Sequence, residues 1–263
     1  MFKTRLISGI VLVAVALVTI ISGGLVLFFT TLALSLIGAG ELYNATGVRG
    51  DKPFGPMDTV GYAAIGFYYV SILFLPDSLQ LLPMIAGFLA VMFVYVLTYP
   101  RYKAFQTMSA FFGIIYTGVM ISCIYLTRML PGGGYHVWLI FLSAWGSDTC
   151  AYCVGMLIGK HKMAPVLSPK KSWEGAIGGL AGAVILGIIF ALFTHGPVGI
   201  YALICGAGAV ISMIGDLAAS AIKRNMDIKD YGHLIPGHGG ILDRFDSIIF
   251  TAPVIYYLSL ILI

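Results

Sequence analysis

Long apolar stretches make up most of the chain and are separated by short segments that carry its charges. A helix needs about 20 apolar residues to cross the hydrocarbon core of a membrane. The pattern therefore predicts an all-α, polytopic integral membrane protein. The predicted spans are the nine segments 6–22, 24–40, 58–75, 79–98, 104–126, 136–158, 176–194, 198–221 and 247–263.

The first two spans share one uncharged stretch, from Leu6 to Gly40, which is too long for a single crossing. Gly23 and Gly24 can form a tight turn there, so we expect a helical hairpin. A secretory signal peptide over residues 1–24 is the alternative, because Lys3 and Arg5 precede the apolar run. No small-residue cleavage site followed by a polar mature chain appears, which favours the hairpin.

The composition agrees with a membrane location. Hydrophobic residues make up 59% of the chain and charged residues 10%, whereas soluble domains have about 25% charged residues. The net charge of +4 is too small to indicate a nucleic-acid partner, and the expected partner is the lipid bilayer. The 33 glycines suit closely packed membrane helices, and they permit a homodimer without predicting one.

The basic residues predict an orientation, because Lys and Arg concentrate in cytoplasmic loops. With a cytoplasmic N-terminus, the predicted spans place every Lys and Arg except Arg128 on the cytoplasmic side. The C-terminus then lies outside. We expect a multi-pass protein of the cell membrane, the inner membrane in a bacterium, with its functional site facing the cytoplasm.

The chain is expected to divide by function into two parts. Residues 1–135 would form five N-terminal membrane helices, and residues 136–263 four helices that carry the functional site, with cytoplasmic loops at 159–175 and 222–246. The four cysteines all fall in predicted spans. Cys150 and Cys153 form a C-x-x-C, but no second pair or suitably spaced His completes a zinc set, so packing is favoured.

Two carboxylates lie where a membrane disfavours them. Asp148 falls inside the sixth span and Asp216 near the cytoplasmic end of the eighth. A carboxylate at bilayer depth costs about 2.5–3.5 kcal/mol, and such residues usually face a cavity, a partner or an ion. Asp148 has two open interpretations, a hydrogen bond to a neighbouring helix or a functional group. For Asp216, the charged segment that follows it in the chain favours a functional role.

From Ser220 to Asp246 the chain interleaves equal numbers of bases and acids. A loop that only sets topology or touches anionic lipid needs no carboxylates. Acids and bases together suit a site in which carboxylates hold a divalent metal and bases hold phosphates. Within it, glycines 239 and 240 would let backbone N–H groups approach an anion. The charged residues are Lys223, Arg224, Asp227, Lys229, Asp230, Asp243, Arg244 and Asp246.

A second basic loop, residues 159–175, contains the sequence SPKKSWEG. Lys170 and Lys171 follow a Ser-Pro turn, and Ser172 to Glu174 can cap the helix that follows. A positive-inside loop would explain the lysines but not the order of these residues.

These motifs resemble those of the phosphatidate cytidylyltransferases, also called CDP-diacylglycerol synthases. SPKKSWEG is similar to an upstream element of that family, with Ser172 where Thr is expected. A weaker match covers Asp148, Ala151, Tyr152, Gly155, Gly159 and Lys160, with Met156 where a basic residue is expected. Before residue 143 only hydropathy supports the resemblance. The signature positions that match are Ser220, Lys223, Arg224, Lys229, Asp230, Gly232, Pro236, His238, Gly239, Gly240, Asp243, Arg244 and Asp246.

The resemblance implies a nucleotidyltransferase of phospholipid biosynthesis. It would convert CTP and phosphatidic acid to CDP-diacylglycerol and pyrophosphate, with Mg²⁺ as cofactor. Whether a second metal cation takes part is left open. A lipid phosphate is already largely ionised at neutral pH, so no strong general base is needed. Metal ions and Lys and Arg side chains would offset the repulsion between two anionic substrates.

Roles follow for individual residues. Asp216, Asp243 and Asp246 are the expected metal ligands and catalytic residues, together with Lys223, Arg224 and Arg244, which would hold phosphates. The expected substrate-binding residues are Ser168, Lys170, Lys171, Ser172, Glu174, Ser220, Lys229, Asp230, His238, Gly239 and Gly240.

Three other classes of protein fit the sequence less well. A secondary transporter would also carry intramembrane acids, but the repeats and broken helices typical of transporters are not evident. A CDP-alcohol phosphotransferase would need an Asp-Gly-x-x-Ala-Arg pattern, which is missing. A purely structural membrane protein leaves Asp216 and the charged segment without a purpose.

Overall fold

The computed structural model describes residues 2–50, 54–237 and 239–263, and these are mostly helical. A short antiparallel hairpin of two strands, β1 and β2, joins the sixth helix to the seventh. The helices are α1 Phe2–Ser22, α2 Gly24–Ala45, α3 Pro56–Phe74, α4 Leu81–Leu97, α5 Ala104–Met129, α6 Gly133–Ile158, α7 Trp173–Thr194, α8 Val198–Asn225 and α9 Leu242–Leu262; the strands are β1 Lys162–Ala164 and β2 Ser168–Ser172.

The fold class is confirmed. In the described ranges, 7 helices are long and apolar enough to cross a membrane, while α4 and the apolar part of α1, Ser8–Ser22, are shorter. Each predicted span coincides with one apolar helix, and the break between α1 and α2 falls at Gly23, whose φ of 60° suits glycine. The number of helices that cross, and the orientation, stay predictions.

Two helices contain a π-helical turn. One covers Ile114–Val119 in α5, and the other covers Leu142–Gly146 in α6. A π turn changes the direction of the side chains that follow it, and such turns are frequent at functional sites. The second ends two residues before Asp148, the carboxylate inside the sixth predicted span.

The chain forms two compact units. The first comprises Met1–Thr19, Leu25–Ser122 and Ile228–Arg244; the second comprises Ile20–Gly24, Cys123–Asp227 and Phe245–Ile263. The charged segment from Ser220 to Asp246 is thus divided between the two units, with its central part, Ile228–Arg244, in the first unit. The expected functional division at residue 135 is a different kind of boundary and stays a prediction.

Tyr43 organises the core of the first unit. Its ring is fully buried against Gly61 and Gly113, where a side chain would leave it no room. Its hydroxyl donates a hydrogen bond of 2.9 Å to the Ala110 carbonyl. The buried Ser35 hydroxyl likewise donates to the Thr117 carbonyl at 2.8 Å. These two buried hydroxyls are thus satisfied within the protein, as a membrane interior requires.

In the second unit, α7 packs closely against α6 and α8 through glycines. Gly179 lies against Ala151, Gly182 against Cys150, and Gly187 against Cys205. Small residues let membrane helices approach and gain van der Waals contact. All four cysteines are free thiols, and the contacts of Cys150 and Cys205 agree with the packing role expected from the sequence.

Candidate active site

A cavity of about 440 Å³ in the second unit, here called the charged cavity, gathers several of the predicted residues. One part of its wall is charged and contains Asp148, Lys170, Lys171 and Asp216. Another part is apolar. The apolar wall includes Tyr152, Met156, Met163 and Met213.

Lys171 and Asp216 form an ion pair in this cavity. The Lys171 Nζ lies 2.5 Å from Asp216 Oδ2, and both side chains are about one quarter exposed. The Ser220 hydroxyl, one turn along α8, donates to Asp216 Oδ1 at 3.5 Å. Ser220 and Asp216 are four residues apart and lie on one face of α8, and each oxygen of the Asp216 carboxylate has a partner.

Asp148 and Asp246 bring two further carboxylates close to Asp216, and the three interact electrostatically. Asp148 Oδ2 accepts a hydrogen bond of 3.2 Å from the Ser247 hydroxyl of α9, while Asp246 Oδ1 accepts from the Ser247 backbone N–H at 2.8 Å. Lys223 also interacts with Asp246. Asp148 therefore both bonds to a neighbouring helix and lines the cavity, so its two interpretations stay open.

The β1–β2 hairpin presents Lys170 and Lys171, and Glu174 holds its base. The Glu174 carboxylate accepts hydrogen bonds from the backbone N–H groups of Lys160 and His161, each at 3.2 Å, and lies 2.6 Å from His161 Nδ1. These contacts indicate that Glu174 orders the hairpin.

Ser172 caps the helix that follows the hairpin. It is the N-cap of α7, and its hydroxyl accepts from the Gly175 N–H at 3.1 Å. The predicted cap is confirmed, and the same residue lines the charged cavity. Ser168 opens β2 and is half-buried.

The first unit holds the glycine-rich part of the signature around a second cavity, of about 560 Å³. Gly237 and Gly239 have φ values of 77° and 86°, which favour glycine, and the Ile235 N–H closes their turn on the Gly239 carbonyl at 2.8 Å. We call this the loop cavity. It is lined by Lys229, Asp230, His233, Ile235, Gly237, Gly239 and Arg244.

Arg244 gives the loop cavity an unsatisfied donor. Its Nε is buried, and no hydrogen-bond partner for it occurs among the residues that the structure describes. An unpaired buried donor is costly, and an anion in the cavity would satisfy it. Arg and Lys side chains are the usual protein partners of phosphates. The arrangement suits a polyphosphate.

Two carboxylates hold the loop in place. Asp243 Oδ2 accepts from the Tyr231 N–H at 2.8 Å and the Gly240 N–H at 2.9 Å. Glu41, near the end of α2, accepts from the N–H groups of Ile241 and Leu242, both at 2.9 Å. Sequence reasoning missed Glu41. Its signal was a lone carboxylate at the end of an apolar helix in the N-terminal part.

The other predicted residues lie outside the charged cavity or outside the described part of the chain. Arg224 is exposed at the end of α8, and Lys223 is half-buried one residue before it. Neither lines the charged cavity. His238, and Lys52 among the predicted cytoplasmic bases, lie outside the described residues.

Two carboxylates of the charged cavity have the chemistry to bind a divalent metal together with substrate phosphates. No group of three or more His, Cys, Asp or Glu side chains that could hold a metal is found in residues 2–50, 54–237 and 239–263. Mg²⁺, however, is usually bound through one or two carboxylates together with phosphate oxygens and water. Asp148 and Asp216 supply hard oxygen ligands of that kind on one cavity wall.

Comparison with known proteins shows the family of this chain. The sequence matches the cytidylyltransferase family over residues 3–262, nearly the entire chain. This chain belongs to the cytidylyltransferase family. It is therefore a nucleotidyltransferase, and the resemblance seen in the signature motifs is confirmed and extends over the N-terminal helices.

Staphylococcal relatives cover the same length. A phosphatidate cytidylyltransferase of Staphylococcus saprophyticus is 32% identical, over 96% of this chain and 97% of its own. The protein of that name from Staphylococcus aureus strain COL is 33% identical over the same shares. That of Staphylococcus haemolyticus is 32% identical over 96% of this chain. Full-length coverage shows that the similarity is not limited to one motif.

Proposed function

We propose that the protein transfers the cytidylyl group of CTP to phosphatidic acid, giving CDP-diacylglycerol and pyrophosphate. The observation that carries the proposal is the charged cavity, whose wall is ionic at Lys171 and Asp216 and apolar at Tyr152, Met156 and Met213. An amphiphile with an anionic head matches both surfaces. The names of the staphylococcal relatives support the same substrates.

In the proposed reaction, an oxygen of the lipid phosphate attacks the α-phosphorus of CTP. A new P–O bond forms there, the bond between the α-phosphorus and the bridging oxygen breaks, and pyrophosphate leaves with that electron pair. The lipid phosphate is already ionised, so the reaction calls for no strong base. The main barrier is to hold two anions together in line, which positively charged groups lower.

The side chains of the second unit would act on the lipid phosphate. Lys170 and Lys171 neutralise its charge, and Asp216 holds Lys171 in place through their ion pair. Lys223, which interacts with Asp246, would add positive charge to this region, as would Arg224. These residues thus bind and orient the attacking group.

The side chains of the first unit would act on the nucleotide. Arg244 and Lys229 would bind the phosphates of CTP, and the backbone N–H groups of the glycine turn at Gly237 and Gly239 would approach them closely. Asp243 and Glu41 keep that turn in position.

Asp216, Asp246 and Asp148 would hold Mg²⁺ in the second unit, and the metal would offset charge on the phosphates when bound. The predicted metal role of Asp243 stays a prediction, because its described contacts are to the loop. We further propose that these groups face the cytoplasm, where CTP is found, in agreement with the distribution of Lys and Arg.

Purified protein in lipid nanodiscs tests the proposal directly. With phosphatidic acid and Mg²⁺, label from [α-³²P]CTP is expected in a lipid product, and label from [γ-³²P]CTP in pyrophosphate, in equal amounts. Diacylglycerol in place of phosphatidic acid is the matched control, since it lacks the attacking phosphate. Release of pyrophosphate without a labelled lipid, or transfer to diacylglycerol, would contradict the proposal.

A further inference from the structure

A third cavity, of about 670 Å³, lies in the first unit between helices α2 and α3 and the segment 228–234. We call it the Tyr62 cavity. Its volume is in the range of small-ligand sites. Polar side chains on its wall come from the N-terminal part of the chain and from the segment 228–234. They are Glu41, Asn44, Arg49, Tyr62, Asp230 and His233.

The Tyr62 cavity adjoins the loop cavity, because Asp230 and His233 line both. The loop cavity offers Lys229, Arg244 and the glycine turn to a polyphosphate. In a nucleotide the phosphates are bonded to the ribose. A nucleotide whose phosphates fill the loop cavity must therefore place its nucleoside in space next to it, and the Tyr62 cavity provides that space.

The wall of the Tyr62 cavity carries both hydrogen-bond donors and acceptors. Asn44 is exposed in the last turn of α2, and the half-buried Tyr62 offers a ring and a hydroxyl. Asp230 adds an exposed carboxylate, the kind of acceptor that pairs with the amino group of cytosine. An amide, a phenol and a carboxylate together suit a pyrimidine base and ribose hydroxyls.

Arg49 is held in a fixed orientation at the wall of this cavity. Its Nε lies 3.8 Å from the fully buried Asp58 carboxylate, and its guanidinium lies 5.7 Å from the centre of the Phe54 ring. The ion pair is too long for a hydrogen bond, and the buried Nε has no hydrogen-bond partner among the residues that the structure describes. A carbonyl oxygen of a ligand would satisfy such a donor.

We propose that the Tyr62 cavity binds the nucleoside part of CTP, with Asn44 and Tyr62 as residues that contact it. This rests on the proposed function. It also gives the N-terminal helices α2 and α3 a part in substrate recognition, which the sequence motifs did not suggest.

The test compares two ligands and four variants. CTP and inorganic triphosphate share the phosphates, but only CTP has a nucleoside. Binding of each with Mg²⁺ is measured by titration calorimetry on the full-length protein in detergent. The test variants are Asn44→Ala and Tyr62→Phe, and the matched controls are Asn225→Ala and Tyr99→Phe, at exposed positions that line none of the three cavities.

Each test variant is expected to weaken CTP binding about 3- to 10-fold, the effect of losing one hydrogen bond. Binding of inorganic triphosphate should stay unchanged, which also shows that the variant is folded. The control variants should bind both ligands like the unmodified protein. The same variants should raise the KM for CTP and leave the KM for phosphatidic acid unchanged.

Two results would overturn the proposal. Unchanged CTP affinity in both test variants would exclude the Tyr62 cavity as the nucleoside site, while CDP-lipid formation by the unmodified protein would still support the proposed function. Equal weakening of CTP and inorganic triphosphate would show that the residues act on the phosphates or on the loop. If the unmodified protein neither binds CTP nor forms CDP-lipid, the proposed function itself fails.

Discussion

Glu41 is a single carboxylate that holds the start of α9 through two backbone N–H groups. In Glu41→Gln, one acceptor oxygen becomes an NH₂ group that faces a donor. The loss of one charge-assisted hydrogen bond, about 1.5–3 kcal/mol, corresponds to a drop of about tenfold to a hundredfold in kcat/KM. CDP-lipid formation measures the effect. Asp227→Asn, in an exposed turn, is the control, and equal activity of the two variants would contradict the role of Glu41.

Gly240 packs directly on the Glu41 carboxylate, with no room for a methyl group between them. Gly240→Ala should therefore displace the loop, lower the melting temperature and reduce CDP-lipid formation, at an overpacking cost of about 1–3 kcal/mol. The matched control is Gly66→Ala in α3, where nothing lies within 4 Å of the added carbon. Equal melting temperatures and equal rates of CDP-lipid formation for the two variants would show that the close approach of Gly240 to Glu41 is needed neither for stability nor for activity.

Individual residues differed in how far the sequence predicted them. Asp216 and Lys171 could be singled out because each charge is unusual in an apolar chain, and the structure brings them together. That Glu41 holds the loop could not be foreseen, since it depends on helix α2 meeting a segment some 200 residues later. The loop-holding contacts of Asp243 were hidden for the same reason, because they require the folded turn.

The β1–β2 hairpin depends on Glu174, whose carboxylate joins both of its ends. Glu174→Gln should loosen it. Hydrogen exchange over residues 160–172 should speed up while the melting temperature stays nearly constant, because the hairpin is exposed and the helices are not changed. CDP-lipid formation should fall several-fold, since Lys170 and Lys171 lie on β2. Unchanged exchange in this segment, relative to Asp227→Asn, would show that other contacts order the hairpin.

Helices were the elements that the sequence predicted best, because a membrane requires about 20 apolar residues for a crossing. The cap at Ser172 was also predictable, since capping depends only on neighbouring residues. The π turns at Ile114–Val119 and Leu142–Gly146 were not, because they arise from packing between helices. The hairpin strands are too short to leave a pattern of alternation.

For the whole molecule, the basic residues predict a cytoplasmic N-terminus and an external C-terminus. Arg128, the exception, donates from its Nε to the Ile20 carbonyl at 3.2 Å, so it has a structural use at the end of α1. Alkaline phosphatase fused after Ile263 should be active, and green fluorescent protein fused there should be dark. The same fusions after Asn225 should behave in the opposite way. Fluorescence at the C-terminus would refute the orientation.

The grouping of the chain into two units could not be predicted from the sequence. The segment Ile228–Arg244 belongs with N-terminal helices, although its charges continue from those of α8. Apolar periodicity shows which segments are helices but not which helices are neighbours. Specific contacts, such as that of Gly232 with Glu41, determine the grouping, and they appear only in three dimensions.

The central claim is that the charged cavity takes part in cytidylyl transfer, and Asp216→Asn tests it most directly. The variant keeps the shape of the side chain and removes the charge that pairs with Lys171. At saturating Mg²⁺ and CTP, we expect kcat for CDP-lipid formation to fall at least about a hundredfold, as for other electrostatic contributions to catalysis. Asp227→Asn should remain fully active, because Asp227 is exposed and lines none of the three cavities. CDP-lipid formation by a folded Asp216→Asn protein at a rate close to that of the unmodified protein would contradict the account.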